Sequence, residues 1–143
     1  MWPTYSTGQP VQPGDWVRVY SAQYGVWHHG IVRRLVLVSG GIAVEVIHNT
    51  KGGGVAVAAW YEFAGGNPIF LHRSPESPTH AAQVVAWAEA NIGKPYFLFA
   101  QNCEHFASFA FNGVAESESL QAVGMMAAGV FAVAILTSDG NET

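Results

Sequence analysis

Apolar and polar residues alternate along the first half of the chain in the manner of β-strands. The runs that predict strands are residues 16–20, 26–38, 42–48, 55–59 and 69–72. The second and third runs are rich in β-branched residues and are separated by Ser39 and the pair Gly40-Gly41. A Gly-Gly pair readily takes the positive φ of a tight turn, so these two runs predict an antiparallel hairpin.

The pattern changes to helical spacing after residue 76. Ser77 is a suitable N-cap, Pro78 fits the first helical position, and apolar residues then recur on one face until Gly93. A second helix is predicted from Asn102 as N-cap to Gly113, and a third begins near residue 117. Strands followed by helices predict an α+β fold with a small antiparallel sheet. The predicted division is an irregular lead-in (1–13), one domain (14–116) and an apolar C-terminal helix with a short tail (117–143).

Composition narrows the possible classes of protein. Half of the 143 residues are apolar, 13% are aromatic and only 11% are charged, which excludes intrinsic disorder. The net charge of −4 lacks the basic footprint of a nucleic-acid binder, so no nucleic-acid partner is expected. No secretory signal precedes residue 14, and a single cysteine excludes an internal disulfide.

One segment raises the question of a membrane. Residues 120–136 are 17 consecutive residues without a charge. They would span about 26 Å as a helix, at the short limit for crossing a bilayer. No Lys or Arg flanks the segment to set an orientation. Membrane association and burial as a core or dimer helix are both open readings.

Cys103 has the most reactive side chain among the candidate residues. It stands at the predicted first turn of a helix, where unpaired N–H groups and the helix dipole favour a thiolate. A thiolate is the species that attacks acyl carbons. The alternative is that Cys103 is a small buried apolar residue, as free cysteines often are.

A nucleophilic cysteine needs a base, and the residues alone leave the choice open. His105 lies two positions along the same helix and so points elsewhere. His28 and His29 alternate to opposite faces of a strand. His72 and His80 flank a loop and are expected to be solvated. No Cys/His cluster has the spacing of metal ligands, so neither a metal nor an organic cofactor is implied.

Two segments together resemble a known family. His28-His29-Gly30-Ile31-Val32 on a strand, followed by Asn102-Cys103-Glu104-His105-Phe106, is similar to the paired signature of the lecithin:retinol acyltransferase (LRAT) family, which includes phospholipase A/acyltransferases and a picornaviral branch. The segments Gly14-Asp15, 84–93 and 96–113 extend the similarity over about residues 14–114. The resemblance implies a permuted papain-like fold.

The resemblance also implies roles. Cys103 would be the nucleophile and His28 the general base, since His28 has the family's spacing to the Gly-Ile step; His29 would replace the usual aromatic residue. Backbone N–H groups at the helix start would stabilise the oxyanion. The family takes an acyl group from a lipid ester onto the cysteine as a thioester and passes it to an amine, an alcohol or water.

The third member of such a site is usually a histidine closer in sequence to the first. His48 is the candidate, but it follows His28 by twenty residues. With residues 39 and 42 paired across the turn, His48 would face Arg33, about 16 Å along the strand from His28. A bulge near Arg33 and Arg34 would recover part of that distance. Otherwise Asn49, Thr50 or no residue fills the role.

The sequence thus supports a lipid-acting thiol acyltransferase or phospholipase-type hydrolase with catalytic residues Cys103, His28 and His48. A catalytically silent interaction protein with the same fold is the first alternative, and a papain-like, NlpC-like cysteine peptidase or amidase is the second. The expected partners are a lipid acyl donor and an amine, alcohol or water acceptor. A cytoplasmic location is expected, with residues 120–136 as the segment that would add a membrane contact.

Overall fold

A computed structural model describes residues 2–95 and 103–113. Several predictions fall wholly or partly outside the described residues. They concern the N-cap Asn102, the segment 96–113, the end of the 14–116 domain and the apolar residues 120–136. Within the described residues, no helix is long and apolar enough to cross a membrane.

Five strands form one antiparallel sheet, which confirms the predicted α+β class. The elements are β1 (Trp16–Ser21), β2 (Val26–Val38), β3 (Gly41–Thr50), β4 (Gly54–Ala59), α1 (Trp60–Ala64), β5 (Ile69–Arg73), α2 (Pro78–Ala90) and α3 (Cys103–Asn112). The strand order across the sheet is β4-β3-β2-β1-β5. Strand β2 is therefore the centre of the sheet, between β3 and β1.

The sheet is covered on both faces. Helices α2 and α3 pack on one face through a cluster that includes Trp16, Ile31, Val84 and Phe106. The other face carries a second cluster with Tyr5, Val11 and Phe63, which brings α1 and the N-terminal lead-in onto the sheet. Every residue of α3 from Phe106 to Phe111 is buried, so this helix is the centre of its layer.

The local signals at α2 act as the sequence predicts. Ser77 is the N-cap, and its hydroxyl oxygen accepts a hydrogen bond of 3.0 Å from the backbone N–H of His80. Pro78 occupies the first turn, where its missing N–H costs nothing. Val84 and Ala88 of the predicted apolar face are fully buried.

Helix α1 is too short for a helical pattern to reveal it in the sequence. The Glu62 side chain accepts a hydrogen bond of 2.8 Å from the backbone N–H of Ala59, which fixes the start of the helix. Gly65 ends it in the left-handed conformation, with a φ of 56°. The helix places Phe63 against the sheet.

The predicted register of the β2–β3 hairpin is wrong. The turn closes with Val38 opposite Gly41, rather than with residue 39 opposite 42. A bulge lies between the pairs Val32–Val46 and Arg34–Glu45, so that no residue of β3 stands opposite Arg33 in the backbone pairing. Arg33 instead donates hydrogen bonds to Glu89 of α2 at 2.7 Å and to Glu45 at 3.3 Å. The earlier turn and the bulge change the register in the same direction. The end of β3 therefore lies closer to the start of β2 than predicted.

Candidate active site

Cys103 is the first residue of α3, and its sulfur lies against the backbone of β2. Its Sγ accepts a hydrogen bond of 3.3 Å from the N–H of His29 and lies 3.8 Å from the carbonyl oxygen of Trp27. These two residues flank His28 in the sequence. The thiol is thus brought to the strand that carries the predicted base.

The sulfur occupies a place where two strands separate. Pairing of β2 with β3 ends at Gly30 opposite His48, although β3 continues to pair with β4 as far as Thr50. Backbone groups of alternate residues point to the same neighbour, so Trp27 and His29 direct theirs toward the gap that β3 leaves. The thiol of Cys103 takes the hydrogen bonds that another strand would have formed.

His28 and His48 are joined by a short hydrogen bond. Nε2 of His28 lies 2.6 Å from Nδ1 of His48, and the rings meet edge to face with centroids 4.9 Å apart. The observed register makes this contact possible, because His48 lies opposite Gly30 and not opposite Arg33. Both rings also pack on Phe63, at 5.2 and 5.5 Å.

The structure brings Cys103 and His28 to one cavity of about 650 Å³. The cavity lies between the β1–β2 turn, the β3–β4 turn and α1. Aromatic and aliphatic side chains form much of its wall, among them Val19, Tyr20 and Phe63. None of its described lining residues is acidic. A largely apolar cavity with a few polar groups is the usual form of a small-molecule site.

Both histidines of the pair are held in the neutral state. Burial lowers the pKa of His28 below its ordinary value. Burial, together with repulsion from His28, lowers the pKa of His48 to about 4. At neutral pH each ring therefore has one proton and one acceptor nitrogen, as a general base requires.

The sequence-based expectation of a thiolate at Cys103 is wrong in its net direction. Burial raises the pKa of this thiol above its ordinary value, and it outweighs the hydrogen bonds from the N–H groups of His29, Cys103 and Glu104, which lower it. The helix start acts as predicted, but desolvation is the larger effect. The resting pair is a neutral thiol beside a neutral imidazole.

The side chain of His29 does not line the cavity and packs among other aromatic rings instead. Its Nδ1 accepts a hydrogen bond of 2.9 Å from the indole N–H of Trp16, and its ring lies 5.8 Å from that of His72. Burial and the nearby charges of His72, Arg18 and His28 lower its pKa to about 3. The backbone N–H that His29 gives to the sulfur could not be found from its residue type, since any amino acid but proline would supply it.

The sequence predicted that His72 and His80 are solvated beside a loop, but both make contacts within the fold. His72 packs edge to face on Trp16, with centroids 4.5 Å apart. His80 accepts from the N–H of Glu76 at Nδ1 and so donates from Nε2 to the carbonyl of Phe111, at 2.7 Å. His105 has a buried Nδ1 that forms no hydrogen bond. No three potential metal ligands come together in the described part of the chain.

A second, larger cavity of about 790 Å³ lies between the lead-in and α2. Its wall includes Asp15, Arg33 and Glu89, but none of its described lining residues is a cysteine or histidine. Of these two cavities, only the one at Cys103 has both a cysteine and a histidine among its described lining residues.

Comparison with known families agrees with the motif pair. The sequence model of the lecithin retinol acyltransferase family matches residues 9–116, about three quarters of the chain. No individual curated protein matches the chain closely enough to serve as a relative. The match includes both strands that meet at the cavity and the helix that begins at Cys103, and the chain belongs to the lecithin retinol acyltransferase family.

Proposed function

We propose that this chain is a thiol acyltransferase or hydrolase that takes the acyl group of a lipid ester onto Cys103. The observation that carries the proposal is that Cys103 and His28 line one cavity, while His48 contacts His28. The sulfur of Cys103 contacts the backbone on both sides of His28, and His28 is hydrogen-bonded to His48. The family resemblance supplies the reaction class, and the apolar wall of the cavity suits an acyl chain.

The tautomer of the histidine pair follows from this role. If His28 is to take the proton of the thiol at Nδ1, its own proton must be on Nε2. That nitrogen then donates to Nδ1 of His48, which lies 2.6 Å away. His48 orients the ring of His28 and stabilises the imidazolium that forms, as the third member of a triad does.

The first half-reaction forms the thioester. His28 removes the proton from Cys103 as Sγ attacks the carbonyl carbon of the ester. The N–H groups of Cys103 and Glu104 stabilise the negative oxygen of the tetrahedral intermediate. The intermediate collapses, the carbon–oxygen bond breaks, and the imidazolium of His28 returns its proton to the leaving alcohol.

The second half-reaction releases the acyl group. Water, an alcohol or an amine attacks the thioester, and His28 accepts its proton. The carbon–sulfur bond breaks, and the proton passes from His28 to the thiolate of Cys103. The resting neutral thiol is restored, in keeping with the raised pKa of Cys103.

The test is intact-mass analysis after incubation with a short-chain phosphatidylcholine. The chain should gain the mass of one acyl group, Cys103→Ala should gain none, and His28→Ala should gain it far more slowly. Since Cys103 is the only cysteine, the site of any thioester is unambiguous. His80→Gln, at a histidine outside the cavity, is the matched control and should behave as the unmodified chain.

The burial of Cys103 favours the catalytically silent alternative, because it raises the pKa of the thiol. No adduct and no consumption of lipid, while a small alkylating reagent still reaches Cys103, would support that alternative. Cleavage of peptides in the absence of any lipid adduct would instead support a cysteine peptidase.

A further inference from the structure

Exposed apolar side chains gather beside the mouth of the cavity. We call them the aromatic surface: Tyr20, Tyr24, Val26, Trp27 and Phe70. Their exposed fractions range from 38% for Trp27 to 62% for Tyr24. Scattered exposed apolar residues are ordinary, but a contiguous patch on a folded protein commonly marks an interaction site.

Ring contacts join three members of the aromatic surface, and Tyr24 and Val26 lie next to them in the chain, in the β1–β2 turn and at the start of β2. Tyr20 lies opposite Trp27 in the β1–β2 pair, with ring centroids 5.5 Å apart. Trp27 in turn meets Phe70 of β5 at 5.9 Å. These side chains extend across three neighbouring strands at one end of the sheet.

Two cations lie within the aromatic surface. The guanidinium of Arg18 lies over the ring of Trp27 at 4.4 Å, and the ammonium of Lys51 lies over Tyr24 at 5.3 Å. Neither forms an ion pair with a described residue, and Nε of Arg18 is buried without a hydrogen-bond partner. In a chain with a net charge of −4, a patch with two cations and no carboxylate is a local exception.

The aromatic surface is continuous with the cavity. Tyr20, Tyr24 and Val26 belong to both, and Lys51 also lines the cavity that contains Cys103. Trp27 and Phe70 do not line the cavity, so the aromatic surface meets the cavity of Cys103 through Tyr20, Tyr24 and Val26.

We propose that the aromatic surface docks on a bilayer that contains anionic lipid, from which the acyl donor enters the cavity. Tyr and Trp are enriched at the bilayer interface, because their rings are apolar and their polar ends remain hydrated. Lys and Arg among them attract anionic headgroups. The choice of a lipid surface as the occupant rests on the proposed function, since the cavity behind it would take a lipid ester.

The experiment measures the partition of the full chain onto vesicles by flotation. The vesicles consist of diether phosphatidylcholine, either alone or with roughly a third diether phosphatidylglycerol. Diether lipids contain no acyl ester, so docking is measured without acyl transfer. If the thioester test fails while docking occurs, the proposed function is wrong and the docking surface stands.

Each variant is matched with a control outside the aromatic surface. Tyr24→Ser with Phe70→Ser removes two exposed rings, and Leu37→Ser is the control. Leu37 is 83% exposed and lies ten residues beyond Trp27 on the same strand, about 33 Å away. Lys51→Glu is compared with Lys94→Glu, which changes the only other lysine and lies outside the cavity.

We expect the chain to bind the anionic vesicles and to release them as salt rises from about 0.1 M to about 1 M. The double variant should bind about tenfold more weakly, and Lys51→Glu should weaken binding to the anionic vesicles only. Both controls should bind as the unmodified chain. Absence of binding, equal binding to both vesicles, or equal losses in Leu37→Ser and the double variant would overturn the proposal. Unchanged thermal unfolding shows that each variant is folded, and Lys51→Glu in an exposed turn provides a second test if the double variant is not.

Discussion

Nε2 of His28 on β2 and Nδ1 of His48 on the neighbouring strand β3 lie 2.6 Å apart. A contact of this length requires that one nitrogen donates and the other accepts. Either choice of donor satisfies this contact, and the one in which His28 donates to His48 leaves Nδ1 of His28 as the acceptor that the proposed base requires. His28 lines the cavity together with Cys103, whereas His48 is not among its lining residues.

The first prediction concerns His48 as a positioning residue. His48→Phe keeps a ring against Phe63 but removes the acceptor for the Nε2 proton of His28. Formation of the thioester should slow by about 10- to 100-fold, less than the loss in His28→Ala. The imidazolium of His28 also loses its partner, so the acid limb of the pH–rate profile should move to lower pH. A slower reaction with an unmoved profile would show that His48 only supports the fold.

The second prediction concerns the ionisation of Cys103. Because its pKa is raised above the ordinary 9.0, few thiolates exist at neutral pH. Alkylation by iodoacetamide should therefore be slower than that of an unstructured cysteine peptide, and its rate should still be rising at pH 9. Intact mass against time measures this, with Cys103→Ala as the blank. A rate that is already constant near pH 7 would indicate a thiolate–imidazolium pair instead.

Much of the sheet could be predicted from sequence because its signals are local. The strand β2 was predicted with its observed bounds, and the cap at Ser77 acts as expected. The resemblance carried by Cys103 and His28 led to the correct family. Whether these two residues catalyse acyl transfer remains a prediction, although the structure places them at one cavity.

The relation between His28 and His48 could not be predicted, because it depends on a register. The turn has the expected two residues but lies one position earlier in the sequence, at Ser39-Gly40, and the bulge at Arg33, which the sequence offered only as one option, adds a further shift. Neither change alters which residues are apolar. The raised pKa of Cys103 could not be predicted for a similar reason. It results from burial where β2 and β3 separate, and that burial depends on the tertiary structure.

The third prediction concerns acid stability and His29. Its pKa is about 3 in the folded chain, against an ordinary 6.5. As the pH falls through 6.5 the unfolded chain binds a proton that the folded chain does not, so this contribution is lost progressively down to about pH 3. The slope from one such group approaches about 1.4 kcal/mol per pH unit.

The check is the free energy of unfolding, measured with urea at several pH values. His29→Gln keeps an acceptor for the indole N–H of Trp16 but does not titrate. Its stability should depend less steeply on pH than that of the unmodified chain between about pH 6 and pH 4. Other titrating groups, such as the buried Asp15, are common to both proteins and cancel in the difference. Parallel pH curves would mean that His29 is protonated in the folded state.

The fourth prediction concerns Gly30, which lies opposite His48 where β2 and β3 separate. A Cβ at this position would lie 2.6 Å from Cγ1 of Val46 and 2.9 Å from Cε1 of Phe63. Gly30→Ala should therefore destabilise the chain by about 1–3 kcal/mol, because packed core side chains must move. It should also slow thioester formation, since Phe63 supports both rings of the histidine pair. Gly52→Ala is the control, because nothing lies within 4 Å of its added Cβ. Urea unfolding and the acyl-adduct assay measure the two effects, and equal stability of both variants would show that the region around Phe63 yields without cost.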